Sequence, residues 1–401
     1  FSPDDKMKKN FFSFFKIKKG KKQSFLVLDI GSQGIKGLIL EKEDKQKKVK
    51  RFASKSFEKF GAFQTVSFEK DLLEKNLSQV LKELKPGSRS LPETILIGLS
   101  PEILKGRIIA SSFKRDNPEK VIEEKEKNII SDWVLNEAQK KAAEAFREKS
   151  GISVNEFQAL RKKIIERKIS GYKVPSILGF KGEIFDFEIL VVFTLKNYFR
   201  IFDILKKSLN FERITFIHKG EGLISWLKNK KNFSGTFIDI GSRFTQVFLV
   251  EDGLLKWITE FEGGGDIFTQ TLSENIGLSQ KEGEDLKLRF SKGELSSGSQ
   301  KIIRELLYPP LNSWFKTLKQ ELEQGSNKFH FVFPPDFYLF GGGSLLPGLK
   351  RILKKGDWEN LSILNSPKVR FILPKDLPIG DESGFLKSPE ETGIVFLALS
   401  I

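Results

Sequence analysis

The sequence predicts an α/β protein of two related lobes with a small α+β subdomain inserted between them, and three observations carry that reading. A strand, glycine turn, strand unit opens the folded part of the chain at FLVLDIGSQGIKGLILEKEDK, beginning with Phe25. A second such unit, GTFIDIGSRFTQVFLVEDG, places its aspartate at 239 where the first has Asp29. A strand, glycine loop and helix, FYLFGGGSLLPGLKRIL, follows the second unit. In both units a β-run ends in Asp-Ile-Gly-Ser and another β-run follows at once, the pattern of two half-domains that face each other.

Composition narrows the chemistry. With 401 residues, 39% of them hydrophobic, the chain can bury a large core in more than one domain. It has no cysteine, which excludes disulfides, thiolate chemistry and Cys-dependent zinc sites and fits a reducing compartment. Two histidines, His218 and His330, argue against a His-based triad or a multi-His metal site. Any chemistry therefore rests on carboxylates, lysines, backbone amides and a hard cation. The net charge is +16, and half of it is local, because eight lysines from Lys6 to Lys22 stand without an acid among them.

Taken in order, residues 1–24 form a basic, aromatic tail. Drawn as a helix, Phe11, Phe12, Phe14 and Phe15 occupy one side among the lysines, the pattern of an interfacial anchor for an anionic membrane surface. A disordered leader that folds back on the domain is the plainer reading, and a nucleic-acid arm is disfavoured, since attraction to polyanions does not discriminate partners. The single methionine, Met7, opens MKKNFFSFF and suggests the native start, with residues 1–6 foreign. No apolar run approaches the ~20 residues of a spanning helix, and no signal-peptide pattern follows the tail. The expectation is a cytoplasmic protein, peripheral on the inner face of the cell membrane.

Residues 25–96 read as the first lobe. Residues 97–215 contain the inserted unit, with a charged helix over 116–149, alternating turns and strands in SGYKVPSILGFKGEIFDFEILVVFTL, and a helix near 197–209 that returns to the core. Residues 216–401 read as the second lobe, with a helical subdomain over 265–330 and a short apolar end, ETGIVFLALSI.

The glycine turns are candidate phosphate loops. Asp29 ends a strand, and Gly31, Ser32 and Gly34 make a turn whose amides can approach phosphate oxygens, as glycine permits. Lys36 adds a cation, and Asp29 can hold the water shell of Mg²⁺. Asp239, Gly241, Ser242 and Thr245 offer the same from the opposite side, so that two acidic hairpins would clamp one metal-triphosphate. One copy alone is equally well an ordinary hairpin, because Asp and Gly are common turn residues. Two copies followed by Gly341, Gly342, Gly343 and Ser344 make the sharper signal.

The order of phosphate loop, insertion, second phosphate loop and glycine-rich loop resembles the superfamily of actin, sugar-kinase and heat-shock-chaperone ATPases over residues 25–401. Within it, the segment SGYKVPSILGFKGEIFDFEILVVFTL resembles the inserted subdomain of the bacterial cell-division family FtsA. EGGGDIFTQTLSENIGLSQKEGEDLK is similar both to FtsA and to PilM of the type IV pilus machinery. The resemblance implies the ribonuclease-H-like core of actin and the cofactors ATP and Mg²⁺. It assigns Asp29, Gly31, Ser32 and Lys36 to the first phosphate motif, Asp239, Gly241 and Thr245 to the second, and Gly341, Gly342, Gly343 and Ser344 to the loop under the adenosine. Glu284 and Lys287 match positions beside ribose and base, with a helix-surface ion pair as the plain alternative. Glu221 matches the residue that orients the attacking water, and Asp239 joins it as a catalytic candidate; a carboxylate favoured by a helix N-terminus explains Glu221 as simply. Asp29 and Asp239 would reach Mg²⁺ through water.

The match departs at Arg243, where relatives keep a glycine or another small residue, and bulky Phe244 follows it. An arginine there is an extra phosphate ligand, a plug, or a side chain turned outward to solvent as a tolerated surface change. The implied function is an ATP-binding cell-division protein, with weak Mg²⁺-dependent ATPase activity in question, that links a tubulin-like division filament to the membrane and forms polymers of its own. The phenylalanine-rich tail would take the anchoring role. The alternative is a PilM-like, non-catalytic membrane scaffold of a pilus or secretion machine. A small-molecule kinase is disfavoured, because the insertion looks like a protein-interaction unit.

Overall fold

In the computed structural model the two Asp-Ile-Gly-Ser hairpins take equivalent places in two separate sheets. Residues 22–401 are described, apart from 58–62, 65–66, 69, 86, 88–89, 210, 212, 360, 362 and 364–365. Phe11, Phe12, Phe14 and Phe15, and with them the expected membrane anchor, lie outside the described residues.

The first sheet starts with β1 (Gln23–Ile30), β2 (Gly34–Glu43) and β3 (Gln46–Ser56); after α1 (Lys70–Leu84) comes β4 (Thr94–Leu99). β1 is central because its apolar run, Phe25 to Leu28, is buried on both faces, which suits a covered strand. The chain then leaves the sheet for β5 (Lys105–Lys114), α2 (Glu124–Ser150), β6 (Phe157–Ile169) and β7 (Ile184–Leu195). These strands, with the short Tyr172–Lys173, form a sheet in the order β5, β7, β6, and α2 packs against it. α3 (Phe199–Leu209) leads back to β8 (Arg213–Phe216), which pairs in parallel with β4.

The second lobe repeats the pattern. After α4 (Lys219–Leu227) come β9 (Gly235–Ile240), β10 (Phe244–Glu251) and β11 (Leu254–Glu262). Three helices follow, α5 (Gly265–Ile276), α6 (Gln280–Lys292) and α7 (Ser297–Phe329), and then β12 (Asp336–Phe340), α8 (Leu349–Lys355), β13 (Lys368–Phe371) and α9 (Thr392–Leu399). The strand orders match: β3, β2, β1, β4, β8 in one sheet and β11, β10, β9, β12, β13 in the other. In each, three antiparallel strands are followed by two parallel ones. This is the two-lobed α/β architecture, with an α+β insertion, that the repeated hairpin predicts.

The chain's last part does not stay with the second lobe. Gly380–Asp381 pairs with β3 of the first sheet, and α9 packs on α4 and on β1. Every residue of α9 is buried, and a helix apolar all round must be covered on all sides. Trp226 of α4 meets Phe237 of β9 and Phe396 of α9, so one core joins α4, α9 and both sheets.

The insertion also touches the second lobe. Glu260 of β11 receives two hydrogen bonds from Arg107, at 2.7 and 2.8 Å, and one from Lys105 at 3.2 Å. Lys149 at the end of α2 donates to Glu321 of α7 at 2.5 Å and to Thr259 at 2.9 Å. Lys256 of β11 reaches Glu188 of β7 at 2.9 Å.

Candidate functional site

The two hairpins close in the same way: the amide of Gly31 donates to the carbonyl of Gly34 at 2.9 Å, and that of Gly241 to the carbonyl of Phe244, also at 2.9 Å. Gly34 is required, since a Cβ there would lie 2.4 Å from the Lys55 carbonyl oxygen. Ser32 Oγ lies 3.3 Å from Ser100 Oγ. Lys36 Nζ donates to the Glu390 carbonyl at 2.7 Å and faces its carboxylate at 3.2 Å.

The glycine loop joins the second hairpin directly. Gly341 has φ +83°, and a side chain on it would meet Asp239 Oδ1 at 2.4 Å. A Cβ on Gly343 would meet Ile240 Cγ2 at 2.6 Å, and the nearest neighbour of Gly342 is Glu390. Ser344 Oγ donates to the Gly341 carbonyl at 2.6 Å, which fixes the loop. Asp29, Asp239 and the loop 341–344 thus line one cleft between the sheets.

A residue that sequence reasoning missed sits between the two aspartates. Lys219, the first residue of α4, donates to Asp239 Oδ2 at 2.6 Å and lies 3.7 Å from Asp29 Oδ2. Burial alone would lower its pKa, but Asp239 and Asp29 outweigh that and raise it, so the ammonium stays charged. One signal could have exposed it: a cation in a helix's first turn opposes the macrodipole and calls for acidic partners elsewhere.

The cleft was expected to hold a hydrated Mg²⁺ between these carboxylates. The residues present do not fit a metal bridging them, because the ammonium already occupies that place, and Mg²⁺ demands near-octahedral oxygen coordination with its waters retained. Among the described residues no cluster of three or more His, Cys, Asp or Glu offers an alternative metal site.

Other candidates have partners of their own. Glu221 is buried and paired with Arg161 of the insertion at 3.0 Å, and it accepts from the His218 amide in a capping box. This is the helix N-terminal place that the plainer reading of Glu221 describes. Arg243 bonds Glu262 at 2.9 Å and Glu102 at 3.3 Å. Ser242 Oγ donates to Asp266. Thr245 Oγ1 donates to the Gly263 carbonyl at 2.6 Å and accepts from Trp314 Nε1 at 3.0 Å, deep in the core. Glu284 and Lys287 do pair, at 2.6 Å, but largely buried: Lys287 also holds the Gly265 carbonyl and Thr269, tying α6 to α5.

His218 caps α4 through Nδ1, which accepts from the Gly220 amide at 3.1 Å, while its Nε2 lies 3.0 Å from Gln246. Burial pushes its pKa down to about 3. An unfolded histidine takes its proton near pH 6.5, so between about 6.5 and 3 the unfolded state binds more protons and stability falls with falling pH. The slope attributable to this ring is up to about 1.4 kcal/mol per pH unit. In urea denaturation at pH 7 and pH 4.5, His218→Gln is expected to lose less stability on acidification than the parent; equal losses would remove His218 as the cause.

No family model matches the sequence. The chain is 23% identical to the cell division protein FtsA of Streptococcus pneumoniae over 146 residues, which is 32% of this chain and only 31% of that protein. Among solved structures it is similar to a PilM–PilN type IV pilus biogenesis complex, with TM-score 0.66 and 18% identity over 93% of this chain and 97% of that one. The ethanolamine utilization protein EutJ of Carboxydothermus hydrogenoformans gives TM-score 0.45 and 11% identity, over 96% of this chain and 91% of that one. By its paired sheets and its whole-length likeness to the PilM–PilN structure, the chain carries the actin-like ATPase fold.

Proposed function

We propose that this chain is a nucleotide-binding scaffold that binds without turning over, holding a partner protein at an anionic membrane surface. One observation carries the reading: both candidate catalytic carboxylates are engaged inside the protein, Glu221 by Arg161 and Asp239 by Lys219. A carboxylate paired in this way is poorly suited to accept a proton from an attacking water. The two glycine hairpins and the loop 341–344 still frame a cleft lined with backbone, which suits phosphate and adenosine. The whole-length likeness to PilM supports a scaffold in a pilus or secretion machine, with the insertion as docking unit and Phe11, Phe12, Phe14 and Phe15 as anchor. The shorter match to FtsA favours a second reading, in which the partner is a tubulin-like division filament.

The test uses one preparation of the full chain. ATP is expected to bind and to raise the melting temperature by mass action, while phosphate release stays at the level of the buffer control. Pelleting with anionic vesicles is expected, and is lost on deleting residues 1–22. Steady phosphate release would sink the non-catalytic reading, and unchanged pelleting of the shortened chain would sink the anchor.

A further inference from the structure

Two carboxylates facing each other across a cleft repel a polyphosphate unless a cation lies between them. Here the chain supplies that cation itself. We propose that Lys219 stands in for the divalent metal, so that the cleft takes the phosphates of a nucleoside di- or triphosphate without Mg²⁺, with Lys219 and Lys36 as its cations. The inference rests on the reading of this cleft as a nucleotide site.

The geometry supports it at three points. The Lys219 ammonium lies 2.6 Å from Asp239 and 3.7 Å from Asp29, one on each sheet, and so spans the space a bridging metal would need. The start of α9 packs close behind it: a Cβ on Gly393 would stand 3.2 Å from Lys219 Nζ and 3.4 Å from Asp29 Oδ2, a tight fit that a larger residue would crowd. An ammonium has three N–H donors; with one given to Asp239 and one facing Asp29, a third is left for a phosphate oxygen.

Lys36 supplies the second charge. It extends from β2 just beyond the first glycine turn, and its ion-pair partner, the Glu390 carboxylate, is partly exposed. An exposed pair of this kind is weak, so an incoming phosphate can displace the carboxylate. A dication brought to the same place would be repelled by the ammonium and would have to expel it from both aspartates. The arrangement therefore discriminates by charge type, accepting the anion and excluding the metal.

The experiment is calorimetric titration of the full chain with ATP and with ADP in two buffers, one with EDTA and one with excess Mg²⁺. Binding in EDTA at least as tight as in excess Mg²⁺ is expected, since Mg²⁺ ties up the free anion, and Mg²⁺ alone is expected to leave the melting temperature unmoved. Lys219→Met is expected to weaken binding in EDTA by about ten- to a hundredfold, the loss of one charge-assisted hydrogen bond, and to make binding respond to Mg²⁺. Binding seen only with Mg²⁺, or a melting shift from Mg²⁺ alone, overturns this inference and leaves the nucleotide reading in place. Absence of binding in both buffers overturns the two together. Because the decisive comparison is made on the parent protein, a Lys219→Met chain that fails to fold does not blunt it.

Discussion

Glu260→Ala is expected to destabilise the protein by about 3–5 kcal/mol, the cost of breaking a buried ion pair and leaving its partners uncompensated. Glu260 is buried on β11, where burial alone would push its carboxyl up, but Arg107 and Lys105 outweigh that and hold it well below the usual carboxylate range. Truncation removes three hydrogen bonds and leaves each cation with one backbone carbonyl, Gly106 for Arg107 and Pro101 for Lys105, beside the rings of Phe193, Phe146 and Phe244. Lys105 can shed its proton, since burial already lowers its pKa. Arg107 cannot, which keeps the cost high. Glu260→Gln retains the shape and part of the hydrogen bonding, so it should cost less than alanine. Urea denaturation measures both, and a loss under about 1 kcal/mol for alanine would mean that water reaches the cations. Limited proteolysis gives a second readout, because the insertion loses one of its ties to the second lobe and should be cleaved sooner.

How far such a site is legible depends on whether its parts are local. Asp29 and Asp239 could be read because each hairpin is one continuous stretch, with strand alternation on either side and glycine where backbone meets backbone, as at Gly34 and Gly341. The two matching sheets follow from the same repeat. Glu260 could not be read. In LLKWITEFE it shares a polar face with Lys256 and Glu262, which alternation assigns to solvent, and only the insertion folded over β11 turns that face inward. Lys219 was hidden for a similar reason, since one of its partners lies on the other sheet. For Arg243 the residues alone left ligand, plug and outward-facing side chain open; its acids, Glu102 and Glu262, come from the junction with the insertion and from β11. The same limit applies to α9: its apolar run announced burial, but not that it would return to β1.

These contacts also bear on motion. In a cleft that opens and shuts around a ligand, few interactions should cross it. Here the insertion is tied to the second lobe through Glu260, Glu321 and Glu221, and Lys219 crosses between the sheets. The pairs of Glu260 with Lys105 and Arg107 are largely buried on both sides and resist separation, because parting them leaves unpaired charge poorly solvated. Lys149 and Arg161 are part-exposed and hold their acids less firmly. Opening the cleft would require these pairs to part.

Gly222→Ala is expected to cost about 3 kcal/mol, at the upper end of what overpacking a core usually costs. Alanine is the better helix former by about 1 kcal/mol, so the sign depends on what the methyl group meets. It meets backbone: a Cβ on Gly222 would stand 1.6 Å from the carbonyl oxygen of Phe396 and 2.4 Å from its carbonyl carbon. A side chain could rotate away, but α9 can relieve this contact only by moving as a whole, and it is buried along its length between α4 and the sheets. The displacement reaches the cleft. Lys219 lies one turn before Gly222 on α4, and Gly393 one turn before Phe396 on α9, so both face the same helix crossing. Forcing the helices apart should draw Gly393 from the ammonium and loosen its hold on Asp29 and Asp239. Urea denaturation of Gly222→Ala should therefore show the stability loss, and titration of the still-folded variant at low temperature should show weakened nucleotide binding. Unchanged or raised stability would mean that α9 shifts freely, and the cleft would then owe its shape to the two sheets and not to the crossing of α4 with α9.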